Sequence, residues 1–224
     1  MKPILFSTPM VRAILAGRKT MTRRVEKDVT SEYDYWGMEK DFHVFGTHNN
    51  LYPALVKPQY QFGDILWVRE TWTIEKPERI NDWQYVYRAD DEVPNGYIPS
   101  WRPSIFMPRE AARIFLRVTD VRVERLQDID NDDAIKEGCA GAPCDCLRLG
   151  RGWMGCESCM NTGWQEPPTV EFMQLWEHLN AKRGYGWDTN PWVWVYSFER
   201  IRICDMLPSE AITAGCILQS KGDV

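Results

Sequence analysis

The sequence predicts an α+β fold: a small, strongly bent mixed β-barrel with helices on its rim. Two observations carry that expectation. One helical pattern opens the chain, several separated strand patterns follow, and two helical patterns precede a last strand. There is also no βαβ alternation and no glycine-rich phosphate loop, which disfavours a dinucleotide-binding fold. No internal repeat is present.

The elements follow in order. TPMVRAILAG (8–17) reads as a short helix, with Thr8 as cap, Pro9 at the first position and Gly17 at the exit. Val11, Ile14 and Leu15 form its inward face. Residues 26–60 show no clean period and read as a long irregular surface excursion. QFGDILWVRETW places a turn at Gly63-Asp64 and a strand from Ile65 to about Trp72. DWQYVYRAD is a further strand, and PNGYIPSWRPSIFMPRE an extended, proline-punctuated loop. RIFLRVTDVRVERL is the clearest strand, with Ile114, Leu116 and Val118 alternating against Arg113, Phe115 and Arg117. A short helix follows at 131–137, ending at Gly138. TVEFMQLWEHLNAKRG is the strongest helix, capped by Thr169, buried through Phe172, Leu175, Trp176 and Leu179, and stopped at Gly184. PWVWVYSFERI is the final strand, with Trp192, Trp194, Tyr196 and Phe198 on one face and Val193 and Val195 on the other. Residues 204–224 read as a loosely attached tail.

Composition narrows the function classes. The chain has 224 residues, 44% hydrophobic and 26% charged, ordinary for a globular protein, with a formal net charge of −5. That balance argues against avid nonspecific duplex binding, which needs a broad basic face, but leaves room for a small positive pocket. No apolar run of about 18 residues indicates a membrane span, and the N-terminus is not a secretory signal. An odd count of seven cysteines agrees with a cytoplasmic protein. Eleven tryptophans, many beside arginine or acid, suggest aromatic walls around polar groups, with a tryptophan-rich core as the plainer explanation.

GRKTMTRR (17–24) packs four cations and two threonines into eight positions of this acidic chain. Part of that charge complements the end of the preceding helix. The rest points to a ligand, or to a solvated loop. Further on, Cys144 and Cys146 form CxC, and Cys156 and Cys159 form CxxC. Two such pairs suit a closed tetrahedral Zn²⁺ site with no position left for substrate, and its role would be to fold a small insertion. The alternative is incidental thiols, and Cys139 is a spare ligand. A zinc deaminase would need a His-x-Glu beside its Cys-x-x-Cys, and none is present. His43, His48 and His178 sit at no ligand spacing.

AILAGRKTMTRR, QFGDILWVRE, RIFLRVTDVRVERL, DDAIKEG and WVWVYSFERI together resemble, in this order, the ASCH domain of the PUA-like barrel superfamily. The resemblance covers the scaffold of residues 1–201 and is closest to the larger members common in phages and prophages, which often carry a cysteine-rich insertion here. CESCMNTGW is similar to half of a DnaJ-type zinc module. The implied organisation is one ASCH domain, 1–203, interrupted by a zinc insertion at 139–168, then a tail from 204. The resemblance also implies binding of RNA, single-stranded nucleic acid or a modified nucleoside beside the GxKxxTxR loop. Some small members are amidohydrolases acting on N4-acetylcytidine, and others have been assigned nuclease activity. Carried over, their catalytic lysine, threonine and glutamate fall on Lys19, Thr22 and Glu137, with Glu70 a rival for the acid.

This chemistry is self-consistent. Thr22 serves as nucleophile or holds a water if Lys19 is neutral enough to act as base, which asks for a fall of roughly three units from about 10.4. Burial beside Arg18, Arg23 and Arg24 pushes that way. Arg23, Arg69 and Arg109 are candidates for phosphate or oxyanion, and Trp67, Trp72 or Trp101 for stacking on a base. Three functions stay open: a binder whose cleft is lined by Lys19, Thr22, Arg23, Glu70 and Arg109, a hydrolase at the same cleft, and a protein-interaction module acting through the insertion. The bland option for Arg69 and Glu70 is a salt bridge at a sheet edge.

Overall fold

The computed structural model describes residues 1–47, 53–75, 84–90, 100–144 and 163–202. The protein is a mixed α+β chain with several β-sheets and few helices. In chain order the elements begin β1 (Lys2–Leu5), α1 (Thr8–Leu15), β2 (Met21–Val25), β3 (Asp34–Glu39), β4 (Phe42–Gly46) and β5 (Ala54–Val56). Then come β6 (Ile65–Arg69), β7 (Trp72–Glu75), β8 (Gln84–Tyr87), β9 (Phe115–Arg125) and α2 (Asn131–Lys136). The last are β10 (Ala142–Pro143), β11 (Trp164–Glu166), α3 (Pro168–Asn180) and β12 (Trp192–Ile201). The largest sheet has the strand order β1-β6-β9-β12-β2.

The chain divides into two compact units. The first comprises Met1–Ala16, Phe62–Thr119 and Phe198–Val224. In it β1 runs parallel to β6, and β6 antiparallel to β9. Its core gathers Ile4, Val11, Ile14, Leu66, Val68, Ile114, Leu116 and Val118. Helix α1 starts one residue earlier than expected: Ser7 is the cap, Thr8 is already helical, and Ala13 is buried where Leu15 is only half-buried. The strand expected to run to Trp72 stops at Arg69, because the Glu70 amide turns away to the Met107 sulfur at 3.2 Å. The chain then starts a separate hairpin, β7–β8.

The second unit comprises Gly17–Gln61 and Asp120–Ser197. Here β2 lies antiparallel to β12, with Thr22 opposite Tyr196 and Arg24 opposite Trp194. The stretch expected to be irregular, 26–60, instead contains the three-stranded antiparallel sheet β3-β4-β5. A register shift between Tyr35 and Gly37 breaks its period-two pattern. The Trp36 ring lies so close over Gly46 that a Cβ there would meet it at 2.3 Å. Phe45 and His43 face inward, where His43 meets Trp194 edge-on and Phe45 meets Trp192.

Helices α2 and α3 cover the other side of β2 and β12. Met21, Leu126, Ile129, Ala134, Phe172, Trp176, Val193 and Val195 form one apolar cluster. The Thr169 hydroxyl donates to Asn131 Oδ1 at 3.1 Å, tying α3 to α2, so Thr169 is not the cap and Pro167 holds that position. Leu179, expected in the stripe, is 41% exposed, because the buried face of α3 ends at Trp176. After α2, Gly138 takes a φ of +100°, which turns the chain out of the helix. The β10–β11 pair brackets residues 145–162, and the Glu171 carboxylate accepts from the Ala140 and Gly141 amides at its foot. Cys144 is buried there, its amide bonded to the Gly163 carbonyl at 2.9 Å. Cys146, Cys156, Cys159 and the expected tail lie outside the described residues. Among the described residues, no helix is long and apolar enough to cross a membrane.

Candidate functional site

The site is built where α2 ends against the entry to β2. The Thr20 amide donates to the Lys136 carbonyl at 2.8 Å, which fixes the 17–20 turn to the last turn of α2. Lys19 is carried inward by that contact. Its ammonium donates to Glu137 Oε2 at 2.6 Å and to the Glu137 carbonyl at 2.8 Å. Helix ends leave such carbonyls without intrahelical partners and carry partial negative charge, so a lysine fits there on local grounds alone. Both side chains are deeply buried, at 0% exposure for Lys19 and 4% for Glu137.

Burial pushes the Lys19 pKa down from 10.5, Glu137 opposes that through its charge and hydrogen bond, and Arg24 adds to the lowering. The net direction is downward. Desolvation in so poorly solvated a site works against the charged ammonium, and the nearby carboxylate works for it.

The two-residue period of β2 then sorts the remaining side chains. Thr22 and Arg24 share one face with Tyr196 and Trp194 of β12. Met21 and Arg23 share the other, toward α2 and α3. Thr22 is buried. The Arg24 guanidinium interacts electrostatically with Tyr60, Glu137 and Tyr196, and desolvation lowers its pKa. Tyr196 is fully buried, with the Tyr60 ring edge-on at 5.1 Å.

Arg23 was expected to face the cleft beside Thr22, and alternation along β2 places it on the opposite face. Its side chain is fully buried and paired with Asp133 at 2.7 Å and Glu124 at 3.0 Å, and it lies over the Phe172 ring. One guanidinium nitrogen reaches to 3.5 Å from Glu137 Oε1, so Arg23 flanks the Lys19–Glu137 pair from behind. Asp133 is buried, which favours its neutral form, but Arg23, Lys136 and Arg122 outweigh that and hold its carboxyl below the ordinary range. Arg18 remains exposed and donates to the Gly138 carbonyl. Nearby, burial pushes the Cys139 thiol up to about 12, so it stays protonated and unreactive.

The other expected site residues belong to the first unit. The Glu70 carboxylate is taken up by both sides of the Arg113 guanidinium at 2.9 and 3.0 Å. Arg113 also bonds Asp90 and stacks over Tyr87 at 3.9 Å. Trp67 packs with Phe115 and Ile201, and Arg69 lies over its ring while donating to the Ile105 carbonyl. Trp72 packs with Met107 and Ala111 beneath Arg102, Trp101 is half-buried, and Arg109 is exposed beside the Met1 sulfur. Trp67 and Trp72 are thus buried side chains.

Tyr60 and Tyr196 had no assigned role in the sequence reading, while Arg24 was expected to push the Lys19 pKa down, and it acts in that direction. The signal that finds them is alternation read across the β2–β12 pair, not within the GRKTMTRR run. Compared with family models, with curated proteins and with solved structures, the chain matches none.

Proposed function

We propose that the chain is an ASCH-type domain on a bent, PUA-like barrel plan, and that its Thr22 face takes a modified nucleobase and hydrolyses an amide on it. The observation that carries this reading is the Lys19–Glu137 pair, fully buried at the foot of the strand that bears Thr22. A lysine meant only to clamp phosphate works best as an exposed point charge, whereas this one is withdrawn from solvent and already matched. In its amine–acid form the pair supplies both halves of the proton traffic. The Lys19 amine takes the proton of the Thr22 hydroxyl, or of a water held by it, and the Glu137 acid returns one to the leaving amine.

The test is turnover of N4-acetylcytidine by the full chain. Lys19→Arg keeps the charge and removes the proton-accepting form, so the rate should fall by about 10²–10⁴-fold. Thr22→Val should be at least as damaging, and Thr20→Val nearly silent, because Thr20 is exposed. Wild-type protein that turns over no acylated nucleoside sinks the hydrolase reading.

A second reading has its own support: Lys19 also bonds the Glu137 carbonyl, which makes the pair a fastening between α2 and β2. On that reading the Thr22 face binds RNA, single-stranded nucleic acid or a nucleoside without chemistry. Salt-sensitive oligonucleotide binding in the absence of turnover would select it. Release of a co-purifying protein on chelation would select instead a partner-binding role for the insertion.

The insertion is proposed to hold one structural Zn²⁺ through Cys144, Cys146, Cys156 and Cys159. Cys144 fits, being buried at the β10–β11 stem. Among the described residues alone, no group of three or more His, Cys, Asp or Glu could hold a metal, so the set depends on the other three cysteines. Zinc would supply the insertion's folding energy and no catalytic step. Metal analysis should find about one zinc per chain, and full occupancy in Cys156→Ser would overturn the assignment.

A further inference from the structure

We propose that the Tyr196 hydroxyl donates a hydrogen bond to the carbonyl oxygen of the amide bound against Thr22, and holds the negative charge that develops there. The proposal rests on the hydrolase reading above and adds the group that reading lacks.

Tyr196 stands directly opposite Thr22 in the β2–β12 register, so the two side chains rise from the same face as neighbours. The residue has 0% exposure, yet among the described residues its hydroxyl proton has no acceptor. Buried hydroxyls are nearly always paired, and an orphan calls for an explanation. The backbone N–H groups of Gln59 and Tyr60 act on the hydroxyl oxygen as donors. An amide can only donate, so these two groups leave the hydroxyl proton without an acceptor and polarise it outward. Burial also suppresses ionisation of the phenol, which therefore stays a donor across the working pH range. The Tyr60 ring meets Tyr196 edge-on at 5.1 Å, and the charges of Arg24 and Glu26 both bear on this neighbourhood.

An amide carbonyl is an acceptor and answers this vacancy in kind. In the reaction, the Thr22 oxygen bonds to the carbonyl carbon as Lys19 takes the hydroxyl proton. The π pair moves onto the carbonyl oxygen, which Tyr196 holds. Collapse breaks the C–N bond, the nitrogen leaves with a proton from the Lys19–Glu137 pair, and water releases the acyl group from Thr22 as the carboxylic acid. The sum is amide plus water giving amine plus acid. Donors preset for a developing oxyanion typically contribute about 10²–10³-fold in rate.

Tyr196→Phe removes only the hydroxyl. With N4-acetylcytidine, kcat should fall by about 10²–10³-fold while KM changes little. The melting temperature should hold or rise, since no acceptor of the hydroxyl proton is lost. A kcat within twofold of wild type overturns the proposal and leaves the hydrolase reading standing. A marked fall in melting temperature also overturns it, because the hydroxyl proton would then have a structural acceptor. If wild type binds N4-acetylcytidine by calorimetry without turning it over, the hydrolase reading fails alone. Affinity then decides: a loss of about tenfold in Tyr196→Phe supports the carbonyl contact, and equal affinity overturns it. No binding and no turnover by wild type overturns both.

Discussion

Glu137 and Glu70 are both buried glutamates facing a cation, and the sequence offered them as rivals for one role. Their surroundings separate them. Glu70 meets Arg113 through a two-pronged guanidinium contact, and Arg113 is 28% exposed and shared with Asp90. Arginine does not give up its proton in proteins, so within this pair only Glu70 can titrate, and the contact acts as a fastening. Glu137 meets Lys19 through a single ammonium with no exposure at all, and lysine does change state when buried. Two buried glutamates are thus held in different ways, by a two-pronged guanidinium in one unit and by a single buried ammonium in the other.

The comparison can be broken most sharply at Lys19. Lys19→Met leaves buried Glu137 with only the longer Arg23 contact at 3.5 Å and should cost about 3–5 kcal/mol by urea denaturation, along with all turnover. A variant that folds with wild-type stability would show that the Lys19–Glu137 contact adds nothing net to folding. Arg113→Met is the matching change in the first unit. Partial exposure lets water and a raised Glu70 pKa absorb part of the loss, so about 1–3 kcal/mol is expected. Activity per folded molecule should stay intact, and a loss of turnover would return Glu70 to candidacy for the acid.

The smallest effect is a difference in sign with pH. Burial raises the Glu70 pKa above its ordinary 4.5, and Arg113 counters this only in part. Its contribution to stability is therefore full below 4.5 and is lost as pH rises through the raised folded value. Asp133, beside Arg23, is held below its ordinary 3.8. Its contribution is full above 3.8 and is lost as pH falls through the depressed value. Stability of wild type relative to Glu70→Gln should fall with rising pH, and relative to Asp133→Asn it should climb. Parallel slopes across pH 3–7, an acid range of roughly the two groups' titration, would contradict this assignment.

Much of this was legible in the chain, for reasons that differ by residue. β9 and β12 announce themselves through their runs of strand-forming residues, and α2 through the glycine at 138 that ends it. The 34–56 sheet did not, because the irregular register at Tyr35–Gly37 and the small residues at Gly37 and Gly46 interrupt its alternation. Within GRKTMTRR, the residue types drew attention to charge, while the decisive property was parity. Arg23 and Arg24 are adjacent and chemically identical, yet one is neutralised against α2 and the other shares the Thr22 face. Parity is fixed by pairing with β12, more than 160 residues away along roughly the whole chain, and no local pattern reports it.

The two-residue ladder between β10 and β11 reaches beyond the site. Because Ala142 and Glu166 are held side by side, the segment between them enters and leaves the unit at one point. Closing a loop whose ends are already pinned depends on its length only logarithmically, so doubling such a segment costs about 0.6 kcal/mol. Exchanging, shortening or enlarging that piece should therefore leave α2 and Glu137 in place, like a cartridge drawn from its socket.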